Sequence, residues 1–403
     1  MEVLSSHRAL RIAIVGAGIG GLTAAAALRQ RGFEVSVYER APQLGEVGAG
    51  LQMGPNAVKV IRALGLEDQF VKLAAEPQVR LSLKWDDGAV RAREPYKGAM
   101  QEKFGARYHM AHRADLHSLL QSLVPEESIH TGAECVGVEN RKGGAVVRLA
   151  GGREIEADVV LGADGIHSVV RTALFGKSEA RFTNQICWRI ILPMEVLHSA
   201  ADKLPVPLDG SEYTGWLGPT GHVLFYPLRG GELLNIFAGR VSTQWADETW
   251  AVPSAIDELL DAYAGWHPGM LYVLSRAREA FKWGIHDRDP LDHWVVGNIA
   301  LLGDAAHPMM PTLAQGAAIS MEDGYAVARY LDQGRSDPAA ALAAYERDRQ
   351  PRAARVQMQA RQQFQNNQFV PPPPPLPVDW IYGYDVVTSP IKLAGGQSDV
   401  ERA

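Results

Sequence analysis

The sequence predicts an α/β fold: a Rossmann-like dinucleotide-binding domain interrupted by an antiparallel-sheet domain and closed by C-terminal helices. Three observations predict it. An apolar strand over residues 11–15 runs into Gly16-Ala17-Gly18-Ile19-Gly20-Gly21 and then a helical pattern. Tryptophans, tyrosines and alternating apolar positions dominate from about residue 180 to 285. A second buried strand over 299–302 then resumes the first pattern and ends in Gly303-Asp304-Ala305-Ala306-His307-Pro308.

Residues 11–15 are apolar and β-branched, with no helical period. In the G-x-G-x-x-G that follows, Gly16 permits a tight turn and Gly18 lets the backbone approach a pyrophosphate. Gly21 lets the next helix lie close to the sheet. That helix, Leu22 to Gln30, is rich in alanine and aims its free N–H groups at phosphates. A second strand, Glu34 to Tyr38, ends in Glu39, eighteen residues after Gly21, with Arg40 beside it. An acid at that tip suits ribose hydroxyls, so the stretch predicts an adenine dinucleotide site. Whether the dinucleotide is NAD or FAD the motif leaves open.

Beyond Glu39, the glycines between Gly45 and Gly54 mark a loop that comes close to something, and Ala57 to Leu64 reads as a helix stopped by Gly65. Residues 79–100 alternate weakly, as strands of another sheet. His112-Arg113-Ala114-Asp115-Leu116-His117 opens a helix with Leu116, Leu119, Leu120 and Leu123 at helical spacing. Strands follow at Ala145 to Leu149 and Ile155 to Leu161, then Ala163-Asp164-Gly165 and a helix from Val169 to Leu174. Within the aromatic-rich antiparallel region, residues 256–264 look helical. After residue 308, helices span about Ala317 to Leu331 and Pro338 to Gln365, with a kink at Pro351. Pro371 to Pro375 and Pro377 form a stiff extended strap before a loose tail. The dinucleotide domain thus takes 1–78, 105–180 and 286–335. The sheet domain takes 79–104 and 181–285, and 336–403 is a C-terminal helix with a proline-rich tail.

At 403 residues the chain can bury a large core, and 46% hydrophobic with 21% charged residues is ordinary for a globular protein. A net charge of −6 with no basic run argues against nucleic acid or an anionic membrane surface as partner. Cys135 and Cys187 share no metal-ligand spacing, so they read as reduced thiols of a cytoplasmic protein, with no metal site. The opening MEVLSSHRAL lacks the apolar core of a signal peptide, and Ile12 to Leu28 is too short and glycine-rich for a membrane span.

Three motifs stand in one order: Gly16-x-Gly18-x-x-Gly21, Ala163-Asp164-Gly165 and Gly303-Asp304-Ala305-Ala306-His307-Pro308. In this the chain resembles, from residue 11 to about 385, the single-component (group A) FAD-dependent aromatic hydroxylases, the family of para-hydroxybenzoate and salicylate hydroxylases. Gly48-Ala49-Gly50-Leu51-Gln52, the 112–117 string, Tyr226-Pro227-Leu228-Arg229-Gly230-Gly231 and Ala314-Gln315-Gly316-Ala317 are similar to the 3-hydroxybenzoate, salicylate and 6-hydroxynicotinate branch. So is Trp380-Ile381-Tyr382-Gly383-Tyr384-Asp385. The resemblance implies tightly bound FAD and a transient NADH or NADPH. In the implied reaction dioxygen adds to the flavin C4a and the hydroperoxide passes OH to an electron-rich ring carbon. It also implies a small phenolic acid as substrate; the oligomeric state, monomer or homodimer, stays open.

On the same resemblance Asp304 bonds the flavin ribityl chain, and Asp164 touches both the FAD pyrophosphate region and the NAD(P)H site. For each, a turn cap is the structural alternative. Arg113 at a helix start would meet the pyrophosphate. In the loop from Pro311, a substrate-side residue, Gly316 and Ala317 would offer helix N-terminal N–H groups to reduced flavin. Gln52 matches a flavin- and substrate-contacting position, although the 6-hydroxynicotinate enzyme has histidine there. A phenol titrates near pH ~10, so a base is needed, and His222 with an ordinary pKa of about 6.5 is the candidate. His222, Leu224 and Tyr226 share one strand face, so Tyr226 could orient the substrate hydroxyl or relay its proton. Arg189 is a possible partner for a substrate carboxylate, with a structural ion pair as the alternative. His307 reads as a local cap, and His286-Asp287-Arg288 as a stitch between domains. Three other readings stay open: a flavin monooxygenase or epoxidase acting on a larger natural product, an NAD-dependent dehydrogenase, and a flavin-binding scaffold without turnover.

Overall fold

The computed structural model describes residues 9–45, 49–243, 252–367 and 373–393. The expectations for the opening segment, for Glu46 to Gly48, for Pro371 and Pro372 and for the tail beyond residue 393 lie outside the described residues.

A six-stranded sheet forms the first layer, in the order Val295–Val296, Ile299–Leu301, Val159–Gly162, Arg11–Val15, Glu34–Tyr38, Ile129–His130. All its pairs are parallel except the outermost Val295–Val296. Both faces are covered, so the central strand is apolar throughout its core: Ile12, Ala13 and Ile14 are buried. Register brings Val15 opposite Tyr38 and Gly162, and Gly162 opposite Leu301. The three sequence motifs therefore emerge side by side at the carboxyl edge of one sheet, where open α/β folds bind ligands.

The helix after the first strand is Ile19–Arg29, three residues earlier than expected, because Gly18 itself is the extended N-cap. It packs on the helix Gly316–Gln333. The predicted strand Ile155 to Leu161 is two strands in two sheets. Glu154–Ala157 pairs antiparallel with Gly144–Leu149, which pairs with Cys135–Arg141, while Val159–Gly162 joins the parallel sheet. Asp158 makes the break: its carboxylate accepts from the Arg11 N–H at 2.7 Å, and its own N–H donates to the Arg11 carbonyl at 2.8 Å.

The second large sheet has eight strands, in the order Val252–Ser254, Ala280–Asp287, Arg181–Pro193, Leu233–Val241, Gly221–Leu228, Glu212–Gly218, Val79–Lys84, Val90–Pro95. It is not purely antiparallel, because Glu212–Gly218 runs parallel to Val79–Lys84. The chain leaves the sheet after Pro95 and returns at Arg181, and a long excursion of that kind is what a parallel pairing needs. One face buries Trp188, Trp216, Val223 and Phe225 against the helices Ile256–Ala262 and Pro268–Leu274. The alternate residues face the cavity described below.

The helix Pro338–Asn366 continues through Pro351. Asp287 accepts from Arg361 on that helix at 2.8 Å and from Arg181 at 3.1 Å, and Arg288 reaches Ser178 Oγ at 2.9 Å and the Ile166 carbonyl at 3.2 Å. The 286–288 triplet thus ties the eight-stranded sheet to its neighbours. Cys135 and Cys187 are free and buried, and burial pushes both thiols up to about 11. No helix among the described residues is long and apolar enough to cross a membrane.

Candidate active site

A cavity of about 1410 Å³ runs from Gly18, Ile19 and Gly20 past Arg113, Asp304, Gly316 and Ala317 to the open face of the eight-stranded sheet. At its inner end the glycines of the first motif separate by cause. A Cβ on Gly16, whose φ is +103°, would lie 2.4 Å from the Ala163 carbonyl oxygen, and one on Gly21 would lie 2.1 Å from the Gly16 oxygen. A Cβ on Gly18 would meet nothing within 4 Å. Protein atoms account for two of the three glycines. The third borders open space at a helix N-terminus, which is the cradle a pyrophosphate needs. Glu39 accepts from the Ala17 N–H and the Ala41 N–H, both at 2.9 Å, and so shapes the turn beside that cradle. Arg40 is exposed beyond it.

The second and third motifs differ in what their acids do. Asp164 accepts from Ser168 Oγ at 2.5 Å and from the N–H groups of Val169 and Val170 at 2.8 and 3.1 Å. It caps the helix Val169–Phe175, and its neighbours Ala163 and Gly165 face the cavity. Asp304 points into the cavity. Enclosure by protein raises its pKa, and His307 and Arg113 oppose that rise. His307 is not a local cap: its ring meets Asp323 at 2.5 Å, sixteen residues on. Asp323 also accepts from the Gly303 N–H at 3.2 Å and from Arg349 Nε at 2.9 Å. A buried ion network thereby locks the third motif onto the helix Gly316–Gln333. That helix starts at Gly316 with no acid in its first turn, and Ala314 just before it holds φ 53°. Arg113 opens the helix Arg113–Gln121, and Pro311 opens the turn ahead of Gly316.

The sheet face supplies the outer part. His222, Leu224 and Tyr226 all line the cavity, whereas Val223 and Phe225 point into the core behind. Cross-strand register arranges three rows on this face: His222–Gly239–Cys187, Leu224–Phe237–Arg189 and Tyr226–Asn235–Ile191. His222 stacks on Phe237 with ring centroids 5.5 Å apart. Desolvation pushes it down to about 4, well below the ordinary value on which its role as a base was argued. It therefore rests as a neutral imidazole. Burial raises the Tyr226 hydroxyl out of reach of deprotonation at neutral pH, leaving it a donor. Arg189 lies 5.2 Å from the centre of the Trp283 ring, its Nε makes no hydrogen bond, and no carboxylate among the described residues pairs with it. Its backbone is two strands and one step from that of His222, about 12 Å at ordinary sheet spacings.

Sequence reasoning missed Asn235. Its Oδ1 accepts from the Gly50 N–H at 2.8 Å, and its amide also contacts the Tyr226 hydroxyl. A lone amide in the apolar run Leu233-Leu234-Asn235-Ile236-Phe237 was the available signal. Gln52 accepts from Tyr108 at 2.9 Å and donates to Tyr213 at 3.4 Å, which places it among tyrosines.

Comparison with known proteins gives the family and the fold. The family described as FAD binding domain matches residues 9–360. A 3-amino-4-hydroxybenzoate 2-monooxygenase of Streptomyces platensis is 38% identical over 90% of this chain and 89% of its own length. The 6-hydroxynicotinate 3-monooxygenase of Pseudomonas fluorescens is 35% identical over 94% of this chain and 96% of its own. A salicylate hydroxylase solved as a substrate complex superposes with a TM-score of 0.81 at 26% identity, over 94% of this chain and 96% of that one.

Proposed function

The chain belongs to the FAD binding domain family and is a flavoprotein aromatic monooxygenase, and from that premise we propose that it hydroxylates a small aromatic acid bearing a ring hydroxyl. The observation that carries this reading is the pairing, on one cavity face, of an arginine without a carboxylate partner and a neutral histidine. In both relatives' named substrates the ring hydroxyl stands para to the carboxylate. We take the substrate class to share that relation.

FAD fits the residues present. Gly18 and the helix it caps would take the pyrophosphate, Glu39 the adenosine ribose, and Arg113 the phosphate charge. Asp304 would accept from ribityl hydroxyls, and the N–H groups of Gly316 and Ala317 would face the ring edge. Bound FAD would supply oxygen transfer from dioxygen, with NADH or NADPH as the electron source.

The chain's own residues supply the rest. Arg189 holds the carboxylate by paired charge-assisted bonds, and Trp283 and Phe237 shield it from water. The ring hydroxyl then lies against His222. A base whose conjugate acid titrates near pH 4 does not ionise a free phenol in advance. It does not need to, because the hydroxyl becomes strongly acidic as the ring gives up electrons, and His222 takes the proton in that step. Tyr226, fixed by Asn235, donates to the substrate and sets its tilt. Residues 79–104 and 181–285 would thus hold the substrate, and the remainder through 335 the cofactor. Reduced thiols and a pyridine nucleotide requirement suit a cytoplasmic enzyme.

The test is rapid-mixing flavin reduction by NADH and by NADPH across a panel of hydroxybenzoates, aminohydroxybenzoates and hydroxypyridine carboxylates. One para-hydroxy acid should accelerate reduction and emerge hydroxylated. Equal reduction rates throughout the panel, with no hydroxylated product, would refute the reading.

A further inference from the structure

Besides Arg189 and Arg113, the cavity is lined by arginines that the proposed reaction does not use, Arg80 among them. Arg80 lies on Val79–Lys84, in the row Glu94–Arg80–Tyr213, and the Tyr213 ring lies 6.0 Å from that of Tyr226. Its guanidinium sits 5.7 Å from the centre of the Tyr213 ring. Among the described residues its one acidic neighbour is Glu94, with which it makes a long ion pair at 3.7 Å, both side chains partly open to solvent. Among the described residues no acceptor satisfies the Arg80 donors. Rings close around it: Tyr96 and Tyr213 have centroids 6.4 Å apart, Tyr96 and Tyr108 5.0 Å, Tyr108 and Tyr382 5.8 Å. Tyr382 is brought here by the C-terminal segment, whose carbonyls at Tyr382, Gly383 and Tyr384 are all gripped by the Lys59 ammonium.

A guanidinium beside tyrosine faces is a receptor for a flat anion: the carboxylate meets the fork and the ring meets the aromatic walls. Arg80 and Arg189 do not serve one molecule. Their strands are separated by four interstrand spacings, about 19 Å. Arg80 leans toward Glu94 and Arg189 leans the opposite way, over Trp283. We propose that Arg80 with Tyr96, Tyr213 and Tyr382 forms a second aromatic-carboxylate site in the outer cavity, where a second aromatic acid binds while the inner one is turned over. The choice of ligand rests on the proposed aromatic-acid chemistry; the existence of a second anion site does not.

Benzoate, which lacks the hydroxyl and is not turned over, is the probe, titrated calorimetrically into the FAD-loaded enzyme. Two benzoates per chain are expected. Arg80→Gln should weaken one of them by about ten-fold or more and leave the other, and Arg189→Met should do the reverse. One benzoate per wild-type chain, a result that needs no variant to fold, overturns the proposal, as does an Arg80→Gln enzyme that keeps both sites unchanged. If Arg80→Gln removes one site and Arg189→Met removes neither, the outer site stands and the inner assignment of Arg189 fails.

Discussion

The backbone N–H of Gly50 donates to Oδ1 of Asn235 at 2.8 Å across 185 residues of sequence, and it joins the strand Gly50–Met53 to the middle of the eight-stranded sheet. A Cβ on Gly50 would lie 2.6 Å from both Asn235 Cγ and the Tyr226 hydroxyl. Three residues from three strands therefore share one fixed point between the cofactor side and the substrate side.

Asn235→Leu leaves the Gly50 N–H and the Tyr226 hydroxyl without their partner inside the protein. A loss of about 1–3 kcal/mol of stability is expected, measured by urea unfolding. Hydrogen peroxide release should rise relative to hydroxylation, because the substrate donor is no longer aimed. Gly50→Ala should reproduce the second effect by collision.

His222 is needed neutral, so hydroxylation should fall on the acid side only as that ring protonates. With its pKa pushed down to about 4, the acid limb of kcat/KM should lie well below the pH 6.5 of an ordinary histidine. His222→Gln should remove the limb and slow hydroxylation by about 10²-fold, with flavin reduction nearly retained. A limb unchanged in the variant would assign it to another group.

Arg189→Met removes the guanidinium that faces the substrate. Affinity for the aromatic acid should drop by about 10²-fold, while affinity for the matching phenol without a carboxylate should change little. Equilibrium binding followed through the flavin spectrum separates the two.

His109 is buried, edge-on to Phe70, and desolvation holds it at about 4 against the opposing pull of Glu67 and the Ala75 backbone. The unfolded chain takes up this proton near pH 6.5 and the folded chain does not until about 4. Its stabilising effect is complete above 6.5 and is lost as pH falls toward 4, to a limit of about 3 kcal/mol. His109→Leu should lessen the fall of the unfolding midpoint across that window, leaving the share that His222 contributes.

Arg349 is fully buried between Glu322 and Asp323, at 2.8 and 2.9 Å. Arg349→Met removes the guanidinium paired with Asp323 and leaves that carboxylate only His307 and the Gly303 N–H, while Arg352 remains for Glu322. A loss of about 3–5 kcal/mol is expected, visible as a lower thermal midpoint and weaker FAD retention.

The strand, glycine turn and helix at 11–29 were legible because local rules decide them: a β-branched run, then a glycine motif in which Gly16 and Gly21 have no room for a Cβ. The strand face carrying His222 and Tyr226 was legible from period-two alternation alone. What the sequence concealed depends on distant partners. The split at Asp158 is imposed by Arg11, and the parallel pairing of Val79–Lys84 by an excursion of the chain. The low pKa of His222 comes from burial beside Phe237, on another strand. Arg80 drew no notice because its tyrosines arrive from four separate segments, and Asn235 because a single polar residue in a strand carries no period.

The most direct test supplies the FAD-loaded enzyme with NAD(P)H, a para-hydroxy aromatic acid and isotopically labelled dioxygen, and reads the product by mass spectrometry. One labelled oxygen in a new ring hydroxyl, matched to nucleotide consumed, is the predicted result. Nucleotide consumption that yields only hydrogen peroxide, or product oxygen drawn from water, would contradict it.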